Sequence, residues 1–220
     1  MSAGAVEFRV ARTPVDKDGV LALRDQVYVR DQARLADVAD TAATFDRFDR
    51  QSTYILACQD AEPVGTIKVV PDSEIGLPCE DMISLASLRS GERARRLVEF
   101  GHLMTVPRAR NRQIGIGLMR AALVHSLTEH AATHVLGDFF AEDDGSLRGF
   151  YTQIGFVPVG EPYRDTRFQH APLSVIAVLD LEDAAARTRT PAEADNAPLQ
   201  YFFHDYDRHL RTARPARAAS

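Results

Sequence analysis

Three short stretches carry residue types and spacings suited to chemistry. RNRQIGIGLM (Arg110–Met119) places Arg110, Arg112 and Gln113 before Gly115 and Gly117, and then runs into an apolar pattern of helical period. A helix start offers unpaired N–H groups and the positive end of the helix dipole, so an anion fits there. The same pattern also describes an ordinary loop that opens a helix. EFGHL (Glu99–Leu103) sets a carboxylate and an imidazole three residues apart in a strand-like run, and TFDRFD (Thr44–Asp49) sets Asp46 and Asp49 three apart in a polar one.

The familiar nucleotide signatures do not describe the glycine stretch. A Walker loop ends in Gly-Lys-Ser/Thr, which is missing. A dinucleotide fingerprint needs a third glycine after the first strand, whereas these glycines follow the fourth. Metal and nucleophile chemistry find equally little: His125 and His130 are five apart on a helix, away from the shared face of an i, i+4 pair. No G-x-S-x-G elbow occurs. Cys58 and Cys79 are too few for a disulfide framework or a thiolate metal site.

Elements that would position these residues can be read from periodicity. Strands are expected at Val6–Ala11, Thr53–Cys58, Thr66–Val70, Leu97–Val106, Val135–Phe140 and Leu173–Leu181. AEPVG reads as the turn between the second and third strands. Helices are expected over Pro14–Gln32, part of Met82–Arg96, Gly115–Ala131 (amphipathic) and Leu147–Ile154, with more β structure after Phe156. An early hairpin followed by alternating strand and helix implies an α/β fold with a mixed central sheet and flanking helices. The domain is expected to span 1–181. Residues 182–198, rich in Ala, Arg, Thr, Pro and acid, read as a linker. In 199–220, the aromatic run Leu199–Leu210 reads as a segment docking onto the domain or onto a second subunit in a homodimer, followed by a tail.

The chain of 220 residues is 45% hydrophobic and 26% charged, with net charge −5 and pI near 5.8, which argues against nucleic-acid binding. Charge is uneven, however. Arg89, Arg93, Arg95, Arg96, Arg108, Arg110 and Arg112 face only Glu92 and Glu99 in the same span, so either an anionic partner docks there or the arginines form a solvated face. The opening MSAGAVEFRVART has no apolar h-region and no stretch approaches a membrane span, so a cytoplasmic location is expected.

Arg112, Gly115 and Gly117 form an Arg/Gln-x-x-Gly-x-Gly/Ala pattern after a central strand, and RGFYTQIGFVPVG follows about forty residues later. In this element order the chain resembles the GNAT superfamily of acyl-CoA N-acyltransferases. That resemblance implies that the loop holds the pyrophosphate of an acyl-coenzyme A or the phosphopantetheine of an acyl carrier. The cradle would be Arg110, Arg112, Gln113, Ile114, Gly115, Ile116 and Gly117, and no metal is implied. In the family's "Y-x-x-x-G-F", here Tyr151, Gly155 and Phe156, the tyrosine hydroxyl would protonate the leaving thiolate. The alternative is a core tyrosine.

TFDRFD, GTIKVV from Gly65, and EFGHL further resemble "E-x-D-x-F-D", "G-x-x-R-L" and "E-x-x-R" of acyl-homoserine-lactone autoinducer synthases and N-acyl amino acid synthases. Thr44 stands for the family's acid, and Lys68 and His102 for its arginines. Lys68 keeps the charge but not the bidentate geometry of arginine. The implied activity is transfer of an acyl group, medium or long, from acyl-CoA or acyl-carrier protein to a primary amine such as an amino acid. The resemblance also implies direct attack on the thioester. A short-chain acetyltransferase of a small amine or protein lysine, and a non-catalytic acyl-CoA sensor, share the superfamily motifs.

Such chemistry needs a base for the attacking amine, for which Glu99 is the first candidate and His102 the second. Glu99 also suits a salt bridge with Lys68 or a nearby arginine, and His102 suits simple strand packing. Backbone N–H groups at Met104, Thr105 and Val106 are candidates to polarise the thioester carbonyl. Asp46 and Asp49, with Lys68, would bind the acceptor's ammonium or brace their loop. A carrier protein would dock on the Arg89–Arg112 patch.

Overall fold

Thr13 opens the first helix, α1 (Pro14–Arg24): its hydroxyl accepts from Asp16 N–H at 3.2 Å, while Asp16 accepts from the Thr13 N–H at 2.9 Å. Sequence periodicity continues past Arg24, but the backbone changes to a π-helical turn over Asp25–Asp31. The single expected helix is therefore two helical forms sharing one buried stripe, Val20, Leu23, Val27 and Tyr28. The computed structural model describes residues 4–35, 46–90, 95–110, 113–141, 146–166 and 168–213, without the side chains of 146 and 147. Thr44, Arg93 and Arg112 lie outside them.

Among the described residues seven strands follow the expected α/β plan: β1 (Val6–Val10), β2 (Thr53–Gln59), β3 (Glu62–Pro71), β4 (Leu97–Thr105), β5 (His134–Phe140), β6 (Val157–Arg164) and β7 (Leu173–Asp180). Their order in the sheet is β1-β2-β3-β4-β5-β7-β6. The remaining helices are α2 (Ala86–Arg89), α3 (Ile114–His130), α4 (Ser146–Ile154), α5 (Leu181–Arg187), α6 (Ala197–Phe203) and α7 (Tyr206–Thr212). Among the described residues no helix is long and apolar enough to cross a membrane.

The chain forms two compact units. The first comprises Met1–Val70, Phe100–Ala122 and Asp165–Ala171. In it β1 pairs antiparallel with β2, and β2 with β3. The β2–β3 turn is Asp60–Ala61, both at positive φ, as a two-residue hairpin turn of the primed kind requires. AEPVG is thus mostly strand, because a bulge at Ala57/Cys58 accommodates Pro63 opposite Cys58.

The second unit comprises Pro71–Glu99, Leu123–Arg164 and Pro172–Ser220. Here β7 pairs antiparallel with β5 and with β6. Residues 182–198 carry ordered structure where composition suggests a linker. Alanine favours helix, Asp180 caps α5 through Glu182 and Asp183 N–H, and Ala184 and Ala185 are buried. In α6, Leu199, Phe202 and Phe203 are buried, and Phe202 meets Phe150 edge-on at 6.3 Å. The aromatic segment therefore packs back onto its own unit.

Helix α3 is less amphipathic than its sequence suggests: only Glu129 is exposed, because apolar residues surround the axis. His125 and His130, expected on separate faces, meet edge-to-face at 5.4 Å near the helix end.

Candidate active site

In the first unit β4 passes through the short 3₁₀ turn Pro107–Ala109 into α3. Gln113, immediately before the helix, is held at φ 57°, a left-handed conformation uncommon for a side chain of this size. Helical geometry leaves the N–H groups of Ile114, Gly115 and Ile116 without intrahelical acceptors, while Gly117 N–H already donates to the Gln113 carbonyl at 3.0 Å. The two glycines differ in purpose. A Cβ at Gly115 would meet nothing within 4 Å, so that face of the helix start is open. A Cβ at Gly117 would lie 2.2 Å from the Phe8 ring, so this glycine exists to seat β1.

Other residues expected to hold the donor are partly committed. Arg110 pairs with Asp31, the last residue of the π-helical turn, and Arg108 pairs with Glu62 at 2.6 Å. Ile114 and Met104 are buried, and Ile116 is half-buried. The Val106 N–H donates to the Val64 carbonyl at 3.0 Å, so strand pairing consumes one of the amides proposed to polarise the thioester. Half-buried Thr105 and the Met104 carbonyl crowd Gly65, where a Cβ would approach them to 3.0 and 2.9 Å, which explains the glycine of GTIKVV.

His102 stands out on β4. Its φ is 49°, so the strand is locally distorted at a β4 residue with a ring that can move protons. Its Nδ1 lies 3.1 Å from the Tyr28 hydroxyl. Phe168 stands edge-on to both rings, with centroids 6.5 Å from His102 and 5.2 Å from Tyr28. Before His102, a Cβ on Gly101 would meet nothing within 4 Å; after it, Leu103 is exposed. The imidazole therefore sits in an open stretch of strand and is gripped on one side by aromatic residues. In the sequence Tyr28 stood unmarked within the expected Pro14–Gln32 helix; the one available signal was that a buried tyrosine hydroxyl needs a partner.

Lys68, Asp46 and Asp49 do come together. Lys68 Nζ is 2.9 Å from Asp46 Oδ1 and 2.8 Å from Asp49 Oδ1. The Tyr54 hydroxyl donates to Asp49 at 2.5 Å, and Arg24 donates to that hydroxyl. Asp46 also accepts from Phe48 N–H at 2.9 Å, closing a turn. Two cations and two carboxylates thus neutralise one another in a largely buried cluster. Burial is the main reason that the Tyr54 phenol is pushed far above its usual range, with Arg24 opposing and Asp49 reinforcing the shift.

In the second unit, Glu99 is 8% exposed and accepts the Cys79 N–H at 2.8 Å. The Cys79 thiol is pushed well above its ordinary range, first by burial and then by the Glu99 charge. Tyr151 is half-buried on α4, its ring stacked on Phe139 at 5.4 Å and met edge-on by Phe156 at 5.2 Å. Burial, aided by the Asp138 charge, raises its phenol above the normal tyrosine range. Gly155, at φ +117°, ends α4 and lets Phe156 fold back on Tyr151. Arg89 is spent on Asp72 and Glu80, at 2.5 and 2.7 Å. Arg95 donates to the Leu88 carbonyl and Arg96 to that of Ala131. Among the described residues of the arginine span, Arg89, Arg95, Arg96, Arg108 and Arg110 each have a local partner. Among the described residues no group of three or more His, Cys, Asp or Glu is placed to hold a metal ion.

The model of one protein family, N-acyl amino acid synthase FeeM, matches residues 19–179. No curated protein matches the chain. Among solved structures, the FeeM N-acyl amino acid synthase from uncultured soil microbes superposes with TM-score 0.68 at 17% identity, covering 84% of this chain and 96% of that one. A CoA-dependent acyl-homoserine lactone synthase, BjaI, solved with SAM and isopentyl-CoA, gives TM-score 0.58 at 18% identity, covering 85% and 91%. A putative N-acetyltransferase from Lactobacillus plantarum gives 0.57 at 20%, covering 80% and 99%.

Proposed function

The chain belongs to the N-acyl amino acid synthase FeeM family, and from that premise we propose that it joins an acyl group from a pantetheine thioester to the amine of an amino acid. It is an N-acyltransferase. The acceptor nitrogen attacks the thioester carbonyl, the C–N bond forms and the C–S bond breaks. The nitrogen's proton passes to a base, and the thiolate takes one from an acid.

The observation that carries this reading is His102. It is a titratable ring held at a strained backbone position in an open stretch of β4, on the strand that leads into the start of α3, where a Cβ at Gly115 would meet open space. An imidazole is poised to take a proton near neutrality. Glu99 accepts the Cys79 N–H and is nearly buried, which suits a carboxylate that braces the strand better than one that exchanges protons. Tyr151, kept protonated by burial, is in the state required of a donor to the departing thiolate.

The open amides of Ile114, Gly115 and Ile116 would take the donor's pyrophosphate, with Gln113 and Arg110 beside them. Arg89, Arg108 and Arg110 are each paired to carboxylates, which favours acyl-CoA, the donor type bound in the BjaI structure, over an acidic carrier protein. Lys68, Asp46 and Asp49 serve to shape the acceptor side by bracing rather than by direct charge.

The test is product analysis by mass spectrometry with acyl-CoA and acyl-carrier donors of graded chain length and a set of amino acids. An amide forms with the native enzyme, and His102→Gln loses about 10²- to 10⁴-fold in kcat, the usual contribution of a general base, whereas Glu99→Gln loses less. Tight donor binding with no amide formed would support a sensor instead.

A further inference from the structure

We infer that Tyr28 is a positioning residue: its hydroxyl accepts the Nδ1–H of His102 and so fixes the imidazole tautomer whose lone pair is on Nε2. The inference rests on His102 being the base.

An imidazole can be a base only through the nitrogen that lacks hydrogen, and the partner of the other nitrogen decides which that is. Here the partner of Nδ1 is the Tyr28 hydroxyl, 3.1 Å away. A hydroxyl can donate or accept, so distance alone permits both tautomers. The reaction itself favours one of them. As the ring gains a proton during amine attack, both nitrogens carry hydrogen and Nδ1 must donate. A tyrosine oxygen that already accepts from Nδ1–H needs no rotation at that moment, and preorganised partners act without that cost. Arg34 lies over the Tyr28 ring, 5.9 Å from its centroid, and helps to hold that ring in place.

The surroundings keep this geometry. Tyr28 is 5% exposed and belongs to the π-helical turn Asp25–Asp31, and such turns recur at functional sites. Its carbonyl accepts from Arg34 and Leu35 N–H, which holds its backbone from the far side. Phe168 sets an edge against each ring, limiting rotation of the pair. The positive φ of His102 turns its side chain out of ordinary strand alternation.

The experiment reads the tautomer directly. In the native enzyme labelled with ¹⁵N-histidine, the His102 signals are assigned by comparison with His102→Gln, and the neutral ring is expected in the Nδ1–H form. In Tyr28→Phe, which retains the ring against Phe168, His102 shifts toward the Nε2–H form. At the same time kcat falls about tenfold, a fraction of a full general-base contribution. The donor KM changes by less than about twofold, and the acid limb of the kcat/KM profile moves to lower pH because the imidazolium loses an acceptor.

A native His102 in the Nε2–H form overturns the inference, as does Tyr28→Phe with unchanged rate and profile. Were that variant unable to fold, the native tautomer alone decides. A fully active His102→Gln sinks the base reading itself. An inactive His102→Gln beside a silent Tyr28→Phe sinks only the positioning role.

Discussion

Lys68 Nζ lies 2.8 Å from Asp49 Oδ1, with the lysine side chain 1% exposed. A buried ammonium is tolerable only when paired, and Lys68 has two carboxylates, Asp49 and Asp46. Removing the lysine leaves two acids facing each other beside one remaining cation, Arg24. Lys68→Met is therefore expected to lower unfolding free energy by about 3–5 kcal/mol, measured by urea titration, and adding Asp49→Asn restores part of it. If Asp46 and Asp49 held the acceptor's ammonium directly, Asp46→Asn would raise the amino-acid KM strongly and leave stability alone. The bracing reading expects the reverse: lower stability and a KM within about twofold, since a network member broken in a buried cluster costs about 1–3 kcal/mol.

Gly115 and Gly117 stand two residues apart and answer to different constraints. Gly117→Ala drives a methyl into the Phe8 ring and should destabilise by about 1–3 kcal/mol, the usual cost of overpacking, with Phe8→Ala in the same chain relieving the clash. Gly115→Ala meets open space and adds helix propensity, so stability is expected to rise by about 0.5–1 kcal/mol. The same methyl stands where the donor's phosphates would approach, so the acyl-CoA KM should rise. Thermal melts beside donor titration separate the two glycines. A Gly115→Ala enzyme with unaltered KM would remove the cradle from this part of the helix.

The distinction between those glycines was not legible in sequence, where both read as parts of one cradle. Patterning did locate the strands, the long helix and the α/β class, because alternation and helical period report burial directly. It missed the π-helical turn, since Val20, Leu23, Val27 and Tyr28 keep one apolar stripe across the change of helix type. It also misread 182–198, where acid, Arg and Pro masked an alanine-rich helix. The grouping of Lys68 with Asp46 and Asp49 was legible as motif. Its charge balance was not, because Arg24 and Tyr54 come from elements that sequence spacing cannot bring together. Tyr28 and Cys79 were invisible as polar groups for the same reason: their partners, His102 and Glu99, are far along the chain.

Acid stability should depend on Asp16. Its carboxylate accepts the N–H groups of Arg12 and Thr13 and pairs with Arg9 at 2.6 Å, and these contacts hold it well below the usual carboxylate range. A carboxylate whose folded pKa is depressed stabilises the fold above its unfolded value, near pH 4, and that contribution fades as pH falls through the lower folded value. Asp16→Asn should therefore lower stability at neutral pH and flatten its decline below about pH 4. Melting curves across pH 2–7 for both proteins give the comparison, and parallel curves would assign the acid loss elsewhere.

Tyr151 combines a raised phenol pKa with a ring stacked on Phe139 at 5.4 Å and 18°. Tyr151→Phe keeps that stack and deletes only the hydroxyl, so the melting temperature should scarcely change. With an alkyl thioester the variant is expected to lose about 10²-fold in kcat, the scale of general-acid assistance. The loss should shrink for an aryl thioester, whose thiolate departs without a proton. Because burial keeps the phenol protonated, Tyr151 should contribute no alkaline fall in the native rate up to about pH 10, where an ordinary tyrosine ionises. Rates for both donors across pH 6–10 decide the matter. An equal loss with both would make Tyr151 a packing residue, whereas a loss that tracks the leaving group's basicity identifies a proton donor.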